Sequence, residues 1–202
     1  MIFSHYLRTS AVLAIALTLA ACGGKASFPI NGNVSGLAYD GLVLTSNGMD
    51  LSVPAKATAF SFPNSISYGE VYNVTIKTPP AHQNCTTVDQ TTGLETATDT
   101  AGRRASISIS LTCYLNAYTI GGTVTGLASE GLVLTNGTAG GTAIIVGAST
   151  SYTFINQVAF GSTYGVSVLT QPTGSTCTVS NPTGVMGDAK VENINVNCVA
   201  NP

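Results

Sequence analysis

The sequence predicts an all-β protein, built as two tandem, disulfide-stapled Greek-key β-sandwich domains behind a short export signal that is cleaved off. Three observations predict it. A block near the start of the chain recurs about 90 residues later. Apolar and polar residues alternate in both copies, the period of a half-buried strand rather than of a helix. Four cysteines, Cys85, Cys113, Cys177 and Cys198, fall two to a copy.

The repeat opens with Ile30-Asn31-Gly32-Asn33-Val34-Ser35-Gly36-Leu37-Ala38, which aligns with Ile120-Gly121-Gly122-Thr123-Val124-Thr125-Gly126-Leu127-Ala128. Gly41-Leu42-Val43-Leu44-Thr45 then matches Gly131-Leu132-Val133-Leu134-Thr135, keeping an offset of 90. From Phe62 and Phe154 onward the offset is 92, through Gly69 and Gly161, Tyr72 and Tyr164, Val74 and Val166, Pro80 and Pro172, to Cys85 and Cys177. Cys113 and Cys198 lie 85 apart, so the first copy carries an insertion of about seven residues, expected within Thr91–Arg104. Self-similarity with small length changes in loops marks tandem domains.

Within each copy the elements read as strands. Val34, Leu42 and Leu44 stand in short apolar runs, and Tyr72-Asn73-Val74-Thr75-Ile76 and Ile107-Ser108-Ile109-Ser110-Leu111 alternate strictly. Tyr164-Gly165-Val166-Ser167-Val168 and Ile194-Asn195-Val196-Asn197 repeat the pattern. Ser46-Asn47-Gly48 and Asn136-Gly137 read as hairpin turns. About six or seven strands per copy fit a Greek-key sandwich of immunoglobulin-like or transthyretin-like type. The division expected is an export signal at 1–21, a tether at 22–29, one sandwich at 30–113, a linker at 114–118 and a second sandwich at 119–200.

Ahead of the repeat, Arg8 precedes an apolar run from Ala11 to Leu19 that ends in small residues. A bilayer span needs about 20 apolar residues, so the layout is that of a cleaved signal. Leu19-Ala20-Ala21-Cys22 resembles the lipobox of bacterial lipoproteins. That resemblance implies cleavage before Cys22, attachment of lipid to that cysteine (palmitate among the chains), and membrane attachment through its acyl chains. Gly23 rather than Asp after the cysteine implies the outer membrane.

With Cys22 set aside as the anchor, the remaining four cysteines form an even set in a chain addressed to an oxidising compartment. Four cysteines allow three pairings, and the repeat selects Cys85–Cys113 and Cys177–Cys198, each closed within one copy. Domains of about 85 residues bury a modest share of their surface, and loops of this size stabilise by about 3–4 kcal/mol in the chain-entropy treatment.

Taken together, the opening Gly-x-Val-x-Gly-Leu, the Gly-Leu-Val-Leu strand, the Tyr-x-Val strand, the Pro before a Cys and the closing Ile-x-Val-x-Cys resemble a repeat module of exported Gram-negative lipoproteins and surface proteins. The resemblance covers nearly the whole mature chain and implies architecture and location rather than a reaction.

Catalytic chemistry finds little footing. The mature chain has one histidine, His82, aligned with Gly174 and expected in an exposed loop. No catalytic residue, cofactor or metal is expected: one histidine and four widely spaced cysteines do not make a zinc site, and no calcium loop is present. Asp40 and Glu130 occupy matching positions beside a glycine and read as solvated turn acids. Gly121–Gly126 lacks the spacing and following helix of a phosphate loop. Tyr39, Tyr68, Tyr114, Tyr118 and Tyr152 are candidates for a sugar-stacking platform, while Tyr72 and Tyr164 read as core. Arg103-Arg104, the one local basic cluster, is assigned to the copy-one insertion as a candidate partner contact. A net charge of −2 leaves no basic footprint for nucleic acid.

The function expected is that of a non-enzymatic outer-membrane lipoprotein, a cell-envelope binding or spacer module with a protein or glycan partner. The alternatives are an accessory or assembly subunit of an envelope complex, or a carbohydrate-binding, adhesin-like module.

Overall fold

The computed structural model describes residues 26–89, 97–137, 141–145 and 149–202; the expected export signal at 1–21, Cys22 and residues 90–96 lie outside them. In the first copy the strands are β1 (Ser27–Phe28), β2 (Ile30–Ser35), β3 (Leu42–Ser46), β4 (Met49–Val53), β5 (Ala59–Ser61), β6 (Ile66–Ser67), β7 (Val71–Thr78), β8 (Gln83–Asp89), β9 (Ala97–Thr100) and β10 (Ile107–Leu115). Two four-stranded sheets, ordered β5-β2-β10-β8 and β4-β3-β7-β9, face each other, and β1 pairs with β6 at one end. Neighbours run antiparallel except β2 and β10, which run parallel from Ile30 beside Ile107 to Ser35 beside Thr112.

The alternation seen in the sequence is what builds this core. Along β2 the odd partners Asn31, Asn33 and Ser35 face water while Ile30 and Val34 point inward. Ile107, Ile109, Leu111 and Cys113 do the same on β10. Leu42, Leu44 and Val74 close from the opposite sheet, each at most 1% exposed. Fully burying such a side chain is worth about 1.5–3 kcal/mol, so a one-residue slip of register would forfeit the whole face.

The second copy repeats the first strand for strand: β11 (Ala117–Tyr118), β12 (Gly121–Thr125), β13 (Leu132–Asn136), β14 (Thr142–Ile145), β15 (Ser151–Thr153), β16 (Val158–Ala159), β17 (Thr163–Thr170), β18 (Ser175–Ser180), β19 (Thr183–Val185) and β20 (Asn195–Ala200). Its sheets are β15-β12-β20-β18 and β14-β13-β17-β19, with β11 on β16. Each copy has its own buried cluster. The protein is therefore an all-β pair of tandem sandwiches, with eight strands in the two sheets of each rather than the six or seven expected.

The bonded cysteines face each other directly across paired strands, Cys85 on β8 against Cys113 on β10 and Cys177 on β18 against Cys198 on β20. Gly36 and Gly126 explain the glycine before the leucine in the opening motif. Both adopt φ near +73° (73° and 72°), and a side chain there would run into the carbonyl of Cys113 or Cys198. That backbone region and that space together admit only glycine.

Three details differ from expectation. Asn73 pairs with Thr98 and Gly165 with Thr183, so the offset is already 85 at β9. The extra residues therefore lie before Thr98: residues 89–97 stand where copy two has only Asn181 and Pro182. Arg103 and Arg104 are thus outside the insertion and align with Asp188 and Ala189. Asn47-Gly48 is a two-residue hairpin turn with both φ positive, at 51° and 74°. Asn136 instead bonds Gly141, its amide donating to that carbonyl at 3.1 Å, so this hairpin needs the longer connection 137–140, of which 138–140 lie outside the described residues. Finally, residues 114–118 hold the end of β10 and all of β11, leaving Asn116 alone between them. The tether stretch likewise contributes β1 to the first sandwich.

Candidate functional site

Four polar or aromatic side chains, Tyr39, His82, Phe160 and Asp188, converge where the two sandwiches meet. His82 sits in the turn before β8 with φ at +58°, a left-handed conformation; its counterpart Gly174 has φ +72°. For a non-glycine residue that conformation costs on the order of 1–3 kcal/mol unless the surroundings hold it. The His82 ring stacks on Phe160 of the second sandwich, with centroids 3.8 Å apart and planes 6° from parallel. Its Nδ1 lies 2.5 Å from the Asp188 carboxylate, also in the second sandwich. Tyr39 meets both rings edge-on, at 5.1 Å from His82 and 5.8 Å from Phe160. Asn116 ties the backbones together: its amide donates to the His82 carbonyl at 2.9 Å, and its carbonyl accepts from Phe160 N–H at 2.7 Å.

Gln83 positions the first-sandwich half of this cluster. Buried at 3% exposure, its Oε1 accepts from the amides of Ala38 and Tyr39 at 2.7 and 3.0 Å, and its Nε2 donates to Gly36 O at 2.6 Å. One side chain thereby satisfies three backbone groups and holds the loop that carries Tyr39 against His82. Gln83 is not legible as a site residue in the sequence, where its one distinguishing mark is alignment with the small Ser175.

His82 is therefore not the exposed loop histidine expected; its side chain is 34% exposed and engaged on both ring face and ring edge. Arg103 and Arg104 follow β9 and pair with Asp99, at 3.3 and 3.8 Å. The Thr100 backbone amide, then the Arg103 charge, holds the Asp99 carboxyl below the ordinary carboxylate range despite some opposing desolvation. Asp40 accepts from Ala55 N–H at 2.8 Å, a turn role, and Glu130 is exposed. The tyrosines do not gather into a platform. Tyr39 belongs to the junction, Tyr68 and Tyr114 are exposed, Tyr118 is half-buried, and Tyr152 lies in the second core at 8% exposure. Burial pushes the Tyr152 phenol up to about 12, and its hydroxyl donates to the Ile194 carbonyl at 2.8 Å. Tyr72 and Tyr164 are core residues. Among the described residues no group of three or more His, Cys, Asp or Glu is placed to hold a metal ion.

Among the described residues, a second surface feature lies along one edge of the second sandwich. Edge strands β14 and β15 flank a groove of about 390 Å³ lined by Ala143, Ile145 and Tyr152, with Ile144 and Ile155 standing 74% and 91% exposed at its rim.

No family model matches the chain, and no curated protein matches it in sequence. Among solved structures, the shaft pilin SpaA from Lactobacillus rhamnosus GG is similar at 9% identity, over 88% of this chain and 99% of that one, with a TM-score of 0.33. A streptococcal ancillary pilin is 13% identical over 87% of this chain and 63% of its own, with a TM-score of 0.28. The major pilin T-13 of Streptococcus pyogenes is 12% identical over 88% and 98%, also at 0.28. Likeness at these scores carries no argument about activity, partners or location.

Proposed function

We propose that the chain is a non-enzymatic lipoprotein of the outer membrane, acylated at Cys22, whose two sandwiches hold a binding surface away from the bilayer. The observation that carries this reading is the strand-for-strand tandem of sandwiches directly behind a lipobox-like Leu19-Ala20-Ala21-Cys22. β1 begins five residues after that cysteine, at Ser27, so an anchor there would leave a short tether. The one mature histidine is engaged at the junction, which suits structural work rather than proton transfer. The partner is a protein or glycan; the exposed Ile144 and Ile155 beside the β14 edge favour a protein adding a strand there. Arg103 and Arg104 remain a second candidate contact.

The test is fractionation of cells expressing the chain or its Cys22→Ala variant, with mass spectrometry of the mature N-terminus. An acylated Cys22 and loss of the variant from the outer-membrane fraction are expected. Equal membrane retention of the variant would overturn the lipoprotein reading. Protease treatment of intact against permeabilised cells then decides whether the sandwiches face outward or into the periplasm.

A further inference from the structure

We infer that the His82 cluster is a latch that locks the two sandwiches at one relative orientation, and that it is built from positions where the two copies depart from each other. The repeat supplies an internal control for every part of it. Tyr39 and His82 project from the end of copy one that meets copy two, where copy two has Ser129 and Gly174 at its own far end. Phe160 and Asp188 lie on the receiving end of copy two, where copy one has Tyr68 and Arg103 at its far end. Buried Gln83, which fixes the Tyr39 loop, is replaced by Ser175. Strand positions in the two sheets keep one core; these five pairs of end positions diverge, and all five copy-one or copy-two members at the junction take part in one contact network.

The backbone of His82 gives a second, independent sign. Copy two meets the φ requirement of this turn with glycine at no steric cost, whereas copy one holds a histidine in the same left-handed region. A local role in the turn does not require the side chain, since Gly174 makes the same turn without one. What the imidazole adds is the stack on Phe160 and the bond to Asp188, both across the junction. With Asn116 as the sole residue between β10 and β11 and bonded on both sides, ring stack and backbone together leave no free hinge. The latch stands whether or not Cys22 is acylated, since none of its members lies in the tether.

The two far ends, as described, do not complement each other. The far end of copy two offers Ser129 and Gly174, and the far end of copy one offers Tyr68 and Arg103, so a second chain cannot reproduce the latch end to end. The latch residues therefore occur together at the internal junction, which makes the device an internal stiffener.

The experiment measures the distance distribution between two spin labels carried on unnatural amino acids in the full chain. Asn64 and Thr173, both exposed and placed at the two far ends, are suitable positions. One narrow distribution is expected for the unaltered chain. His82→Gly, which installs the residue copy two uses, and Phe160→Ala, which removes the opposite face of the stack, should each broaden it. Thermal melting of His82→Gly should show both sandwiches still folded, since glycine satisfies the turn. A broad distribution in the unaltered chain would overturn the latch, as would a distribution left narrow by both variants.

Discussion

Tyr152 and Phe60 occupy equivalent positions and differ by one hydroxyl, which gives the second sandwich a buried phenol that the first lacks at this site. The Tyr152 phenol ionises near 10 in the unfolded chain and at about 12 in the folded one, because burial disfavours the phenolate. Its contribution to stability is whole below pH 10 and is lost as pH rises from there through about 12. Unfolding of the second sandwich followed by urea titration should therefore show a loss between those values that Tyr152→Phe abolishes. At neutral pH the same variant should cost about 1 kcal/mol, the net worth of its hydrogen bond to Ile194 O. Whether a tyrosine lies in the core or on a platform was not legible from residue type. Tyr152 and Tyr114 look alike in sequence, and only the pairing of Gly122 with Tyr152 on β15 turns the former inward.

At the scale of elements, each disulfide closes a loop that crosses to the opposite sheet through β9 or β19 and returns within one sandwich, with sequence separations of 28 and 21. Removing Cys85–Cys113 with the double variant Cys85→Ala/Cys113→Ala should destabilise the first sandwich by about 3–4 kcal/mol, and differential scanning calorimetry should resolve its transition from a nearly unmoved second one. Simultaneous loss of both transitions would contradict separate cores. The strands themselves were legible because alternation has a fixed period and one face is buried. The short strands β9 and β19 were not, since Ala97–Thr100 and Thr183–Val185 carry too few apolar residues to alternate. Placing the insertion also needed β9, whose register with β7 moves Arg103 and Arg104 out of it.

For the whole molecule, exchanging the order of the two copies tests what the junction contributes. In the exchanged chain Ser129 and Gly174 would face Tyr68 and Arg103, so the ring stack and the imidazole–carboxylate bond would both be missing. Each sandwich should melt as before, while small-angle scattering should report a broader spread of shapes than for the native order. An exchanged chain as rigid as the native one would mean that the short connection through Asn116 is sufficient.

The all-β class, the tandem sandwiches and their staples were legible in the chain because alternation, internal repetition and an even cysteine count are local or self-referential signals. Tertiary structure alone decided that His82, Tyr39, Phe160 and Asp188 belong together. They are up to 149 positions apart, they sit where the copies disagree and so fall outside the repeat, and each resembles an ordinary loop residue. Their proximity follows from how the end of one sandwich is set against the start of the next, which no periodicity in the chain encodes.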